Sequence, residues 1–322
     1  MRHHQPHPKR VCRCLLLLQF LCGLCPLMEG FFTKYTDSNA VFRSFPIVQQ
    51  NCLGSWDVFH SLFHSFTTAP QSPLVVALQD PPSRWSTHPT FPGFMSFAPP
   101  HSGRPHVAVY VSCLLNMHFA VSTVVHDSSD MKSLEIHSPE GLFGCPHRTL
   151  RITCAYLRDT NHLPYCSVPP KRVFSTSPHL PLLLGDFNMH HPLADPLRSL
   201  TDKEYSLSAA YFDKAFETPY HLLNTPGVYT RFPFNTISRP TVLDLAFSNT
   251  PLSPFMAFWD TCLPSTGSDH VPITLTLQPP AIMLPPPTPH WALMDWSSVK
   301  KDILEFSLPP CPALTTPNAL AR

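Results

Sequence analysis

Proline is the strongest constraint on what this chain can fold into: 40 of its 322 residues are proline, against only 10 glycines. Each proline lacks a backbone donor and clashes with the preceding helical turn, so long uninterrupted helices and coiled coils are excluded. Without a Gly-X-Y period, collagen is excluded too. Short strands and many loops are expected. Hydrophobic residues make up 43%, enough for a sizeable core, and the length suits one large domain or two modest ones at roughly 100–200 residues each. Charged residues reach only 13%, about half the usual share, which rules out a charge-rich disordered chain. Lys plus Arg total 22 against 21 for Asp plus Glu. A net charge of +1 supplies no global field for gathering nucleic acid, so any contact with DNA has to be local.

Eleven cysteines, odd in number and unevenly spaced, argue for reduced thiols rather than a secreted disulfide framework. Cys12, Cys14, Cys22 and Cys25 have a spacing that invites a zinc site, but they lie inside the apolar run 11–27. That run, after the basic start MRHHQPHPKR, has the outline of a secretory signal. Arg13 interrupts it, no small-x-small cleavage site follows, and it is too short for a membrane span of about 20 residues. Residues 1–40 are read as an N-terminal extension, disordered or signal-like, with secretion as the minor alternative.

From residue 41 onward, short apolar runs alternate with Pro/Ser/His-rich loops. Several runs are continuous, the pattern of strands buried on both faces: residues 73–78 (PLVVAL), 106–115, 150–156, 180–184 (LPLLL), 242–247 (VLDLAF) and 271–277. Residues 51–66, with Leu53, Trp56, Phe59, Phe63 and Phe66, fit one side of a helix. Strands outnumber helices and the helices are interspersed, so the expected class is α/β, a two-sheet β-sandwich flanked by helices. Residues 278–290 (QPPAIMLPPPTPH) read as a semi-rigid linker. The domain is therefore expected to span 41–278, with 279–322 a Pro-rich linker and the start of a missing downstream region.

Three segments carry chemistry. The run 182–184 stops at Gly185 and then offers Asp186 and Asn188, which share one side if the backbone stays extended. A buried strand ending this way puts both groups at the rim of a sheet, where α/β proteins bind ligands; a plain turn explains Asp and Asn equally well. Gly267-Ser268-Asp269-His270 sets an acid beside an imidazole ahead of a strand, and His suits proton transfer near neutrality. With 19 histidines that pairing alone is weak. Asp244 interrupts an apolar strand, where a carboxylate is costly unless partnered or facing solvent. Arg239 and Thr241 precede it and are candidate phosphate contacts. His190-His191-Pro192 invites a metal reading, although a structural or substrate-facing role is preferred.

Taken in order, these residues resemble the endonuclease/exonuclease/phosphatase superfamily, most closely the apurinic-endonuclease-like domain of fungal non-LTR (LINE-type) retrotransposons. Asn51 in QQNCLGSWDVFHSLF matches the family's early Asn, and Leu78-Gln79-Asp80-Pro81 its Leu-Gln-Glu-Pro motif. Tyr156 follows a strand as the family tyrosine does, Asp186 and Asn188 fill Gly-Asp-Phe-Asn, Asp244 matches Leu-Asp-Leu, and Asp269 with His270 completes Ser-Asp-His. PHVAVYVS, HSPEGLFG and NTPGVYTRF add likeness outside the motifs, over about residues 45–278.

The resemblance implies a DNase I-like four-layer α/β sandwich and a Mg²⁺- or Mn²⁺-dependent phosphodiester hydrolase that nicks duplex DNA, with no stable protein partner and no membrane. Asp80 and Asp269 would hold the metal. Asp244 would orient His270, and Asp186 would position or deprotonate the attacking water. Asn51 and Asn188 would donate to phosphate oxygens, and Tyr156 to the phosphate or the developing charge. Whether Asp186 or His270 takes the proton stays open. A nuclear or intracellular location follows, as does a truncated or degenerate element copy. Asp80 departs from the family's Glu, drawing the carboxylate back by roughly 1.3–1.5 Å, which Mg²⁺ with its near-ideal octahedron tolerates poorly. Two alternatives stand beside the nuclease: a catalytically weakened or inactive remnant, and a phospholipid or phosphoinositide phosphoesterase of the same superfamily.

Overall fold

The computed structural model describes residues 44–278 apart from 70, 84–87, 100–103, 127, 139–141, 143–146, 159–167, 176–178, 236 and 262–264. The expectations for the N-terminal extension, its four cysteines and the linker after 278 lie outside the described residues. In chain order the strands are β1 (Phe45–Asn51), β2 (Val75–Gln79), β3 (Phe94–Phe97), β4 (Val107–Ser112), β5 (Ala120–Val124) and β6 (Met131–His137). They continue with β7 (Thr149–Tyr156), β8 (Leu180–Asp186), β9 (Tyr220–Leu222), β10 (Asp244–Asn249), β11 (Met256–Asp260) and β12 (Ile273–Leu277). The helices are α1 (Trp56–Thr68), α2 (Cys113–His118), α3 (Pro170–Val173) and α4 (Asp202–Glu217).

Two six-stranded sheets form, in the orders β11-β12-β1-β2-β4-β3 and β5-β6-β7-β8-β10-β9. The same pattern of pairings runs through both. Each has one parallel pair at its centre, β1 with β2 and β7 with β8, and antiparallel pairs on either side. The C-terminal ends of β1 and β2 therefore lie beside the N-terminal end of antiparallel β12, and those of β7 and β8 beside the start of β10.

The continuous apolar runs are explained by layers on both faces. Ile47, Val75, Ala77, Val107 and Val109 of the first sheet meet Leu134, Ile136, Leu150, Ile152, Leu182 and Leu184 of the second in the central core. The intervening residues Val48, Val76, Leu78, Ala108 and Tyr110 face outward beneath Phe59, Leu62, Phe63 and Phe66 of α1. On the other side Leu183, Leu245 and Phe247 are covered by Tyr211, Phe212 and Ala215 of α4. Period-2 alternation thus serves two apolar layers instead of one, and a polar face never shows in the sequence. Two prolines enter inner strands, Pro46 of β1 and Pro181 of β8, and each takes the second position, near the strand's start.

Two boundaries differ from the sequence reading. The helix expected over 51–66 begins at Trp56, because Asn51 closes β1 and the Ser55 hydroxyl accepts from the amide of Val58. Leu53 lies in the intervening turn with φ 51°, exposed. The run 106–115 is strand only to Ser112, whose hydroxyl accepts from Leu114 N at 3.3 Å and starts α2. No helix among the described residues is long and apolar enough to cross a membrane.

Gly185 is required by close approach. A Cβ at that position would sit 2.2 Å from the carbonyl oxygen of Ala155, its register partner on β7. Backbone cannot yield as a side chain does, so Gly185→Ala is expected to cost about 3 kcal/mol or more. Urea unfolding checks this, and a midpoint equal to wild type would contradict the packing described.

Candidate active site

Six strand ends converge on one rim. Asn51 closes β1, Asp80 follows β2, Tyr156 closes β7, Asp186 closes β8, Asp244 opens β10, and His270 lies just ahead of β12. In the second sheet Tyr156 is the register partner of Asp186, and Asp186 of Asp244, so three of these side chains form a row across adjacent strands. A one-residue slip in either pairing would send part of that row to the opposite face.

Asp244 is buried, and its Oδ2 lies 2.7 Å from His270 Nδ1. The ring's other nitrogen faces Asp186 Oδ2 at 3.9 Å and Asp269 Oδ1 at 3.8 Å, too far for direct hydrogen bonds. Burial alone would lower the His270 pKa. It is outweighed by the charge and hydrogen bond of Asp244, then by Asp186 and Asp269, and the value is pushed up to about 9. The opposite pressure acts on Asp186, whose carboxyl is raised by burial and then by the Asp244 charge. His270 and the bonds from Asn188 and Asn51 pull it partly back. Burial, and after it Asp186 and Asp80, raise the Tyr156 phenol.

Asn188 does not continue the strand. Its backbone turns to φ 46°, and both its N–H (2.9 Å to Oδ1) and its side-chain amide (3.2 Å to Oδ2) donate to Asp186. The turn and the rim carboxylate, set against each other in the sequence, are one feature. Asn51 Nδ2 also donates to Asp186 Oδ2, at 2.8 Å, which ties the first sheet to the second.

Several positioning groups were not singled out in the sequence. The Thr230 hydroxyl accepts from Leu243 N and Asp244 N at 3.0 Å each. Asn224 donates to Asp244 O at 2.9 Å and accepts from Ala246 N at 2.8 Å. Gln50 Nε2 donates to His270 O at 2.9 Å, and Ser268 Oγ donates to Asn51 O while accepting from His270 N. Arg231 Nε donates to Asp269 Oδ2 at 2.8 Å. Three of these residues lie in the NTPGVYTRF segment, the one signal that pointed toward them.

Other expected residues sit apart. Arg239 is exposed on the loop before β10, while Thr241 is buried with a hydroxyl that has no partner. His191 stacks on Phe212, ring centroids 3.7 Å apart, and accepts from Leu193 N, a packing role. His190 is pushed down to about 4 by burial and then by Arg198.

Oxygen donors dominate the rim, as a hard divalent cation requires. Asp244 Oδ1 and Asp269 Oδ1 are both buried without a hydrogen-bond partner, oxygens that a cation would complete. Ligand atoms of Asp186, Asp244 and His270 lie within 4.8 Å of one another, but His270 Nδ1 is already committed to Asp244. The donor set fits a hard cation at this rim.

No protein-family model matches the sequence, and no curated protein matches it. Solved structures do match. The endonuclease domain of TRAS1, a telomere-specific non-LTR retrotransposon, aligns at TM-score 0.53 and 16% identity over 73% of this chain and 98% of that one. The AP endonuclease LMAP from Leishmania major gives 0.56 and 15% over 77% and 91%. A Neisseria 3′ phosphatase bound to product DNA hairpin gives 0.52 and 14% over 72% and 98%. The likeness is one of fold, shared with these three solved structures. The DNase I-like α/β sandwich expected from the motif order is the architecture observed, and the motif residues meet at its rim.

Because the folded-state value of His270 lies above the ordinary 6.5, its bound proton stabilises the fold fully below pH 6.5. That contribution is lost as pH rises through about 9. In metal-free protein the His270 ring signal in NMR is expected to titrate near 9, and Asp244→Asn to bring it back toward 6.5. A wild-type ring titrating at the ordinary value would refute the buried ion pair.

Proposed function

We propose that this chain is a divalent-metal-dependent phosphodiesterase of retrotransposon type that nicks one strand of duplex DNA and leaves a 3′-hydroxyl. The observation that carries the reading is the buried Asp244–His270 pair at 2.7 Å, set beside Asp186 with its raised pKa. Groups whose environments push their protonation away from the ordinary mark acid and base roles. His270, held protonated, is suited to offset negative charge on the phosphoryl oxygens rather than to accept a proton at neutrality. Asp186 is the better base, since a raised carboxyl takes a proton from water more readily than an ordinary one.

Each residue then has one task. Asp186 orients water and takes its proton as the oxygen–phosphorus bond forms and the bond to the 3′ oxygen breaks, the leaving 3′ alkoxide taking a proton from solvent to become the 3′-hydroxyl. Asn51 and Asn188 fix the Asp186 carboxylate, a change from the direct phosphate contacts the resemblance implied. His270 donates to a phosphoryl oxygen and Tyr156 to the developing charge. Asp269, clamped by Arg231, and Asp80 are the candidate cation ligands. A bound Mg²⁺ or Mn²⁺ supplies further neutralisation of the phosphate.

The rim loop favours a polymer over a small ester. Phe232, Phe234 and Ile237 are exposed beside exposed Arg239, and Phe232 N donates to Asp269 O at 2.6 Å, which tethers the loop to the site. Aromatic and basic side chains together suit bases and phosphates. Arg239 remains a candidate phosphate contact here, whereas buried Thr241 acts through its backbone pairing with Arg231. The same apolar loop also suits a phospholipid, the second reading. Hydrolysis of a headgroup ester without nicking of DNA would favour it.

Supercoiled plasmid with Mg²⁺ separates these readings. The wild-type chain is expected to convert it to the open circle, with His270→Ala slower by about 100-fold or more. Equal rates for the two proteins would reject the catalytic assignment.

A further inference from the structure

Asp80 is already occupied by a cation of the chain's own. Its Oδ1 accepts from Arg104 Nη2 at 2.7 Å, and His106 Nδ1 lies 4.0 Å from the same oxygen. Three segments build this seat. Asp80 turns to φ 41° directly after β2, its N–H donates to His106 O at 2.8 Å, and its carbonyl accepts from Gly54 N at 2.7 Å. Gly54, at φ 67°, lies against the guanidinium: a Cβ there would come within 2.6 Å of Arg104 Nη2 and 3.7 Å of Asp80 Oδ2. The space that Gly54 leaves open is the space Arg104 fills.

We propose that Arg104 competes with a divalent cation for Asp80, so that the carboxylate is free to hold a cation only when the guanidinium swings away. This rests on the reading of Asp80 as a cation ligand. The chemistry is direct, because a carboxylate oxygen that accepts a charge-assisted hydrogen bond is a poorer metal ligand than a free one. Displacement is feasible. The Arg104 side chain is 44% exposed and that of Asp80 20%, and ion pairs this accessible are weak. The competition is accordingly expected to weaken cation affinity by about three- to fivefold rather than abolish it. The short Asp80 side chain adds to the effect, since it has less reach with which to hold Arg104 and a cation at once.

Mn²⁺ binding to the full chain, measured by isothermal titration with nicking assayed separately, tests the proposal. Arg104→Gln is expected to bind Mn²⁺ about three- to fivefold more tightly than wild type. Arg104→Lys, which keeps a charge, is expected to fall in between, and the gain should vanish in Asp80→Ala/Arg104→Gln. Thermal melts and circular dichroism check that each variant is folded. Affinity in Arg104→Gln equal to or weaker than wild type, a gain that survives loss of Asp80, or no Mn²⁺ binding by any of these proteins would overturn the proposal. The reading beneath it fails separately: Asp80→Ala alone would then leave both Mn²⁺ affinity and nicking unchanged. If Asp80→Ala weakens binding while Arg104→Gln changes nothing, only the competition is lost.

Discussion

The hydrogen bond between Asp244 and His270 is the constraint on which the rest of the rim depends. Asp244 opens β10 in one sheet, and His270 stands at the entrance of β12 in the other, so the bond spans the sandwich. Neither side chain is more than 4% exposed, and two ions taken out of water are costly unless their geometry and remaining bonds are good. The surrounding residues meet that requirement. Thr230 and Asn224 hold the Asp244 backbone, while Gln50 and Ser268 hold that of His270. Asn51 to Asp186 and Gln79 to Cys154 add further polar bridges between the sheets. The site is thus also the polar seam of a sandwich that is otherwise apolar inside.

The architecture makes this seam possible through strand direction. One parallel pair at the centre of each sheet sends four C-terminal ends to the rim, and the antiparallel neighbours β10 and β12 begin there. Ligand groups on loops at such ends gain precision from the rigid strands behind them. The positive φ angles of Leu53, Asp80 and Asn188 fall in the same zone, immediately after β1, β2 and β8. Strained backbone of this kind persists where neighbouring contacts over-determine it.

Much of this was legible in the chain. The continuous runs 73–78, 150–156, 180–184 and 242–247 read as doubly buried strands because α1 and α4 cover the outer faces with apolar side chains. Asp244 stood out because it interrupts an apolar strand and Asp186 because it ends one, the break that a partnered buried charge requires, whereas His270 was marked only by the Ser-Asp-His motif. The edge strands β3, β5, β9 and β11 and the inner strands β1 and β6 were not legible. Residues of β3 and β5 are mostly half-exposed or exposed, so no apolar run marks them, and β1 and β6 mix buried polar residues such as Gln49, Gln50, Lys132 and Ser133 into the strand. Gln50 and Arg104 were silent, and Asn224, Thr230 and Arg231 were marked only by the likeness of NTPGVYTRF. Each is an ordinary polar residue whose task is set by a partner brought close only by folding, and Gln50 and His270 are 220 positions apart.

A double-mutant cycle on stability tests the central pair without depending on turnover. Urea unfolding at pH 7 would compare wild type with Asp244→Ala, His270→Ala and the double variant. Removing either partner strands a buried charge, and each single change is expected to cost about 3–5 kcal/mol. The double variant should then cost less than the sum by a coupling of about 1–3 kcal/mol. Losses that simply add would contradict a buried Asp244–His270 bond joining the two sheets.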